Sequence, residues 1–233
     1  RTRHGHAIAG QTWDLNPTDI DYIVAINRRP NNGPETWSVT CSGCLTLVGM
    51  NAYGLALGTT NIKTWGARPG VGYLALLHRM IRCRSARSAA AVLSAAPRSA
   101  AHTFWLADPS EQLDLETSPE RVVERSSIGG PLCHTNHCLD DEHARRQGED
   151  TSPSSAARIE RLETMLDGDD HTVESVQALF SDRSDGINSI NRYAEDLQAT
   201  ATNAVFIAVP ARREAHACRG PADRGEWARL SFA

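Results

Sequence analysis

At 233 residues and 25.4 kDa the chain fits one domain of moderate size. It is long enough to bury roughly 70% of its unfolded surface without disulfide or metal staples. Hydrophobic residues at 40% and charged residues at 22% exclude wholesale disorder and an all-coiled-coil architecture. Twenty-four basic against 28 acidic residues leave a net charge of −4, which provides no bulk attraction to phosphate backbones or anionic lipid, so neither a nucleic acid nor a membrane is expected as partner.

In chain order, His4-Gly5-His6 reads as a polar turn and Ala7 to Trp13 as a strand with Asp14 at its end, the second arm of a hairpin whose first arm would lie before Arg1. Tyr22 to Asn27, a turn at Pro30 to Pro34, and Glu35 to Thr40 follow as short antiparallel strands. Cys44 to Met50 and Leu55 to Thr60 flank the turn Asn51-Ala52-Tyr53-Gly54, and their nearly unbroken apolar character predicts a sheet covered on both faces. Tyr73, Leu74, Leu77, Met80 and Ile81 recur at helical spacing, and the Ala-rich run Ala86 to Ala96 predicts a second helix stopped before Pro97. Strands are predicted again at His102 to Asp108, Gln112 to Thr117 and Arg121 to Glu124. Asp140 to Ser155 reads as a loop. Ala156 to Leu166 and Val173 to Phe180 read as helices, with Thr172 as N-cap of the latter. Asn203 to Val209, Glu214 to Cys218 and Trp227 to Phe232 close the chain as strands. This order predicts an α+β fold, two antiparallel sheets packed face to face with helices outside, a four-layer αββα sandwich.

Six cysteines, at 41, 44, 83, 133, 138 and 218, are scattered through a chain that does not need them as staples, which suggests reduced thiols and a cytoplasmic setting. No run reaches the 18 or so apolar residues of a membrane helix, and Arg1 to Gln11 lacks the apolar segment of a signal peptide. The densest polar cluster is Cys133-His134-Thr135-Asn136-His137-Cys138, after the break Gly129-Gly130-Pro131. Two His and two Cys suggest zinc, and a zinc hydrolase using Cys133, His134 and His137 is one reading. The spacing opposes it, because ligands this close cannot converge on one tetrahedral ion without contortion, and Cys41-Ser42-Gly43-Cys44 lacks a partner pair; buried structural thiols are the simpler reading. The expectation is therefore no metal and no cofactor.

Pro131 to Leu139, together with Gly10-Gln11-Thr12-Trp13-Asp14, resembles the C45 family of autoproteolytic acyltransferases and amidohydrolases, the relatives of isopenicillin N acyltransferase. Gly49-Met50-Asn51-Ala52-Tyr53-Gly54-Leu55-Ala56 is similar to that family's G-x-N-x-x-G-L-A hairpin. Thr59-Thr60-Asn61 and Ala67-Arg68-Pro69-Gly70-Val71 follow in the family's order, Ile190-Asn191-Arg192-Tyr193 resembles its I-C-R-H, and Gly220-Pro221 with Glu226-Trp227 resembles its closing strand. The resemblance implies an N-terminal-nucleophile hydrolase. Its precursor cuts itself before a cysteine, which becomes both the new N-terminus and the nucleophile, with its own α-amino group, of pKa about 7.7 to 8.0, as base.

Carried over residue by residue, the resemblance makes Asp14 the carboxylate that holds the α-amino group, Asn136 an oxyanion donor, Arg192 a fixed charge near the nucleophile, and Asn61 a second oxyanion donor as in the related bile-salt and penicillin V hydrolases. Each has a plainer alternative: Asp14 as a turn cap, Asn136 as a loop residue bonded to its own backbone, Arg192 as a surface ion-pair partner and Asn61 as turn chemistry. Trp13, Thr60 and Trp65 are candidates to line the acyl pocket, against core packing for the tryptophans. His134 and His137 read as supports for the loop. None of the six cysteines precedes Gly10. The expectation is that residues 1–233 form one catalytic domain, a large mature subunit lacking its first strand and nucleophile, which would lie upstream of Arg1; one alternative puts Arg1-Thr2 in the place of the family's Cys-Thr on a shortened arm, a dead or mutated enzyme, and another is a non-catalytic binding member of the fold. The implied activity is hydrolysis of a small N-acylated amine or amino acid through a thioester, with transfer of the acyl group to an amine as the alternative. The implied partners are a small-molecule amide and the cleaved prodomain, with a homo-oligomer left open.

Overall fold

Alternation along one strand sets the layering. In β9 (Ala201–Val209), Ala204, Phe206 and Ala208 face one side while Val205, Ile207 and Val209 face the other, and all six are at most 1% exposed. Both faces of a strand can be buried to that degree only if each is covered by another layer. The computed structural model describes residues 2, 4–126, 130–168 and 170–233; the Arg1 of the Arg1-Thr2 reading and the Gly129 of the predicted break lie outside them.

The narrower sheet has the order β1-β9-β10-β11, with β1 (Ala9–Leu15), β10 (Glu214–Arg219) and β11 (Glu226–Leu230), all antiparallel. The wider sheet is a seven-stranded antiparallel meander: β2 (Ile23–Arg28), β3 (Thr36–Cys41), β4 (Val48–Asn51), β5 (Ala56–Thr60), β6 (His102–Ala107), β7 (Gln112–Thr117) and β8 (Val122–Ser126). Ala204, Phe206 and Ala208 meet Ile23, Val39, Val48 and Met50 between the sheets. On the outer face of the wide sheet, α1 (Tyr73–Met80) and α2 (Ala86–Ala95) pack Leu77, Met80 and Leu93 onto Leu57, Phe104 and Leu113. On the outer face of the narrow sheet, α5 (Val173–Phe180) and α4 (Pro153–Met165) cover Val205, Ile207 and Val209. The predicted αββα sandwich is borne out. Each fully buried Leu or Phe in these layers contributes about 1.5 to 3 kcal/mol.

Most predicted elements hold with small shifts of boundary, though the strand predicted from Cys44 begins only at Val48, and α5 keeps its predicted limits with Thr172 capping it: Thr172 Oγ1 accepts from Ser175 N–H at 3.1 Å. The region 140–155 is a correction. It is not all loop, because Asp140 Oδ1 accepts from the N–H groups of Glu142 and His143, both at 3.1 Å, and starts α3 (Asp141–Arg145), while Ser152 caps α4 with Pro153 at its first position. These turns start on polar residues, so apolar periodicity does not register them.

The two sheets are offset. β1 lies over β5, β9 over β4 and β10 over β2, so β6 to β8 extend beyond the edge of the narrow sheet. Gln11 on β1 bridges the offset: its Oε1 accepts from Trp105 Nε1 at 2.8 Å and from Thr59 N–H at 2.9 Å, and its Nε2 donates to Thr59 O at 3.1 Å. The bridge needs a glycine opposite it, since a Cβ at Gly58 would overlap Gln11 Oε1 and Trp105 Nε1. Gly58→Ala is therefore expected to cost about 2 kcal/mol through overpacking and loss of the bridge, checked as a lowered urea midpoint with an unchanged slope.

Candidate active site

Beyond β1, over β6 and β7, lies a cavity of about 1180 Å³, roofed by residues 130–136 and closed by α4 and α5. Among the described residues β1 pairs only with β9, so its other edge faces this space.

Asp14 reaches the cavity because β1 bulges there: Trp13 pairs with Ala204 but Asp14 with Thr202. Thr202 Oγ1 donates to Asp14 Oδ1 at 2.8 Å, and Arg192 Nε stands 3.8 Å from Asp14 Oδ2. The Arg192 side chain is 12% exposed, so it is no surface ion-pair partner. Its Nη1 donates to Thr200 Oγ1 at 2.8 Å and its Nη2 to Ser154 Oγ, while Nε is buried with no hydrogen-bond acceptor among the described residues. Asn191 and Tyr193, where this sequence departs from the family's Cys and His, have a structural task. Both donate to Asp223, Asn191 Nδ2 at 2.6 Å, and so hold the backbone on either side of Arg192.

Asn136 sits on an exposed turn at the cavity wall, and its amide is fixed from both ends. Arg158 Nη2 donates to Oδ1 at 2.9 Å, and Nδ2 donates to the main-chain carbonyl of Asn61 at 3.1 Å. The loop beneath is sewn to the start of α4: Asn136 N–H donates to Ser155 Oγ at 2.8 Å, Thr135 Oγ1 to Ser155 O at 2.9 Å, and His137 Nδ1 lies 2.8 Å from Ser155 Oγ. Asn136 is thus not turned back on its own backbone. Asn61, Thr60 and Trp13 line the cavity as well. The Trp13 indole N–H is buried with no partner among the described residues, and its ring also packs against the core between the sheets.

Trp65 is a correction. It is 70% exposed and lies outside the cavity lining, because residues 63–66 run along the surface, where Trp65 N–H donates to Arg146 O at 2.8 Å. The sequence reading also missed Arg158, Ser154 and Thr202. Arg158 had a legible signal, a charge in line with Leu162, Met165 and Leu166 on the face of α4 that packs on the sheet. It is 8% exposed. Burial pulls its pKa down to about 10, with Asp14 opposing and Arg192 reinforcing, so it stays charged at neutral pH.

Burial holds the thiols of Cys41, Cys83, Cys133, Cys138 and Cys218 above the ordinary range, Cys133 at about 11 and Cys138 and Cys218 at about 12. Such thiols are protonated and poor nucleophiles. His134 has Nδ1 2.8 Å from Thr135 O and Nε2 3.2 Å from Glu116 Oε2, both acceptors, and among the described residues no three potential metal ligands converge. The geometry therefore favours the supporting role for His134 over zinc ligation.

Two antiparallel sheets between helix layers are the sandwich of the N-terminal-nucleophile hydrolase fold. The fold is shared with penicillin V acylase from Agrobacterium tumefaciens (TM-score 0.62, 13% identity, 99% of this chain and 84% of that one). It is shared too with the N-acylethanolamine-hydrolyzing acid amidase ortholog of Caenorhabditis elegans (0.63, 13%, 90% of each) and conjugated bile acid hydrolase from Clostridium perfringens (0.59, 12%, 100% and 95%). The chain belongs to the family described as acyl-coenzyme A:6-aminopenicillanic acid acyl-transferase, which it matches over residues 1–223. It is 27% identical over 206 residues to the acyl-coenzyme A:6-aminopenicillanic-acid-acyltransferase 40 kDa form of Emericella nidulans, covering 86% of this chain and 58% of that protein's length. The expected family is borne out, and the chain spans less than two thirds of the length of the curated acyltransferase it matches. No helix among the described residues is long and apolar enough to cross a membrane.

Proposed function

We propose that residues 1–233 form the catalytic domain of an amidohydrolase that cleaves a small N-acylated amine or amino acid through a cysteine thioester, after self-cleavage before that cysteine. The observation that carries this reading is the gathering of Asp14, Arg192 and the amide of Asn136 around one cavity, with the free edge of β1 running along it. An arm preceding Arg1 and paired to that edge would set its first residue beside these groups. There Asp14 would hold the α-ammonium and, with it, the amine that serves as base. Arg192 would favour the thiolate, and Asn136 would donate to the tetrahedral oxyanion, one such donor being typically worth about 3 to 4 kcal/mol of barrier. Proton transfer runs from the thiol to the α-amine and then to the leaving amine, and water resolves the acyl-enzyme.

Transfer to an amine acceptor in place of water is the second reading, favoured by the match to the Emericella nidulans acyltransferase. Hydrolase and transferase share the same catalytic groups and differ in what reaches the acyl-enzyme. Expression of the whole reading frame, followed by intact-mass measurement and N-terminal sequencing, tests the proposal. The expected result is two chains, the larger starting with cysteine a few residues before Arg1, and loss of cleavage when that cysteine becomes alanine. A single uncut chain, or a mature N-terminus other than cysteine, would overturn it.

A further inference from the structure

Arg158 holds the amide of Asn136 by its oxygen. Arginine only donates, so the Asn136 atom 2.9 Å from Nη2 must be Oδ1; the Asn61 carbonyl only accepts, so the atom 3.1 Å from it must be Nδ2. The amide is thereby pinned in one of its two flips, and one Nδ2 hydrogen is left over. The guanidinium has little freedom of its own: it is 8% exposed, and its Nε donates to Ser154 Oγ at 3.3 Å, the same oxygen that receives Arg192 Nη2. Among the described residues no carboxylate lies within ion-pair distance of Arg158, so its charge is not spent on an internal salt bridge. A cation bonded to an amide oxygen draws electrons from the nitrogen and strengthens its remaining N–H as a donor.

From this geometry we infer that Arg158 is the positioning residue of the oxyanion donor, fixing the flip of Asn136 and sharpening its N–H. The inference rests on the proposed role of Asn136. It assigns a task to α4 that the packing of Leu162 and Met165 does not require, and explains a charge on that face.

The test uses mature enzyme from the whole reading frame, p-nitrophenyl butyrate as substrate, and thermal unfolding of each variant alongside. Arg158→Met is expected to lower kcat about 10- to 100-fold with KM little changed, since misaiming a catalytic group costs on that scale. Arg158→Lys, which still donates to Oδ1, is expected to recover most of that loss. In an Asn136→Ala background Arg158→Met should change kcat by less than about 3-fold, because residues acting through one another are not additive. If Arg158→Met fails to fold, Arg158→Leu, which also removes the donor, carries the same comparison.

Three outcomes overturn the inference alone: Asn136→Ala loses kcat while Arg158→Met does not, Arg158→Met raises KM at constant kcat, or its loss persists undiminished without Asn136. Unchanged kcat in Asn136→Ala, or no turnover above that of the enzyme lacking its nucleophilic cysteine, overturns the proposed site itself and the inference with it.

Discussion

Asn136→Asp is expected to lower kcat about 10³-fold while leaving thermal stability within a few degrees of the parent. The substitution keeps shape, removes the N–H donor and adds a negative charge. An aspartate would still place one oxygen against Arg158 Nη2, at the 2.9 Å now occupied by Oδ1, and that contact would become an ion pair. Its second oxygen would face the Asn61 carbonyl at the 3.1 Å where Nδ2 now donates, and would offer the cavity a lone pair in place of an N–H. A developing oxyanion would then meet negative charge where the parent offers a donor, so the loss lies at the upper end of the 10²- to 10³-fold typical of removing a donor. Stability is spared because the new pair with Arg158 offsets the lost bond to Asn61 on an exposed turn. Steady-state kinetics and a melting curve on the same preparation check both halves. Activity within about tenfold of the parent would refute the donor role of Asn136.

The layers of this fold are legible in the sequence because burial on two faces leaves a pattern. Ala204 to Val209 alternate between two apolar environments, and the helices α1, α2 and α5 announce themselves by spacing or by a cap such as Thr172. The site is legible only where short motifs survive: Asp14, Asn61, Asn136 and Arg192 all reach the cavity. What the sequence conceals is set by contacts between distant segments. The bulge that turns Asp14 inward depends on its pairing with Thr202, 188 residues away. The place of Arg158 in line with Leu162, Met165 and Leu166 marks it as an inward charge, but its partner Asn136 becomes visible only when the loop is laid against α4. Trp65 errs the other way: its position next to the Asn61 motif suggests the pocket, but the strand has ended and the chain has turned to the surface.

The loop that carries Asn136 hangs on Glu116, and removing that carboxylate is expected to be strongly destabilising. Glu116 is 2% exposed on β7. Its Oε1 accepts from His143 Nδ1 at 2.8 Å, and its Oε2 from His134 Nε2 at 3.2 Å and Leu139 N–H at 2.7 Å, with Asp140 N–H at 3.3 Å from Oε1. Burial alone would push its pKa up; the hydrogen bonds from His134, His143 and the Leu139 N–H outweigh that and bring it down to about 2. The direction fixes the sign of the pH effect. A carboxylate whose native pKa lies below its unfolded value of about 4.5 binds fewer protons in the native state, so its contribution is complete above that value. It is lost as pH falls from about 4.5 to about 2, and amounts to about 3 kcal/mol. Glu116→Gln turns one acceptor into an NH₂ facing donors, and Glu116→Leu orphans the N–H groups of Leu139 and Asp140. Either is expected to cost about 3 kcal/mol at pH 7, a fall in Tm of about 6 to 12 °C for a chain of this length. The same variants should have a flatter stability profile below pH 4.5, because they lack the titrating group. Urea unfolding at pH 7 and at intervals below pH 4.5 checks both. Parent and variant falling in parallel through the acid range would refute Glu116 as the anchor, whereas converging curves, with kcat reduced because the Asn136 loop is no longer held, would place the support of the site in this buried cluster.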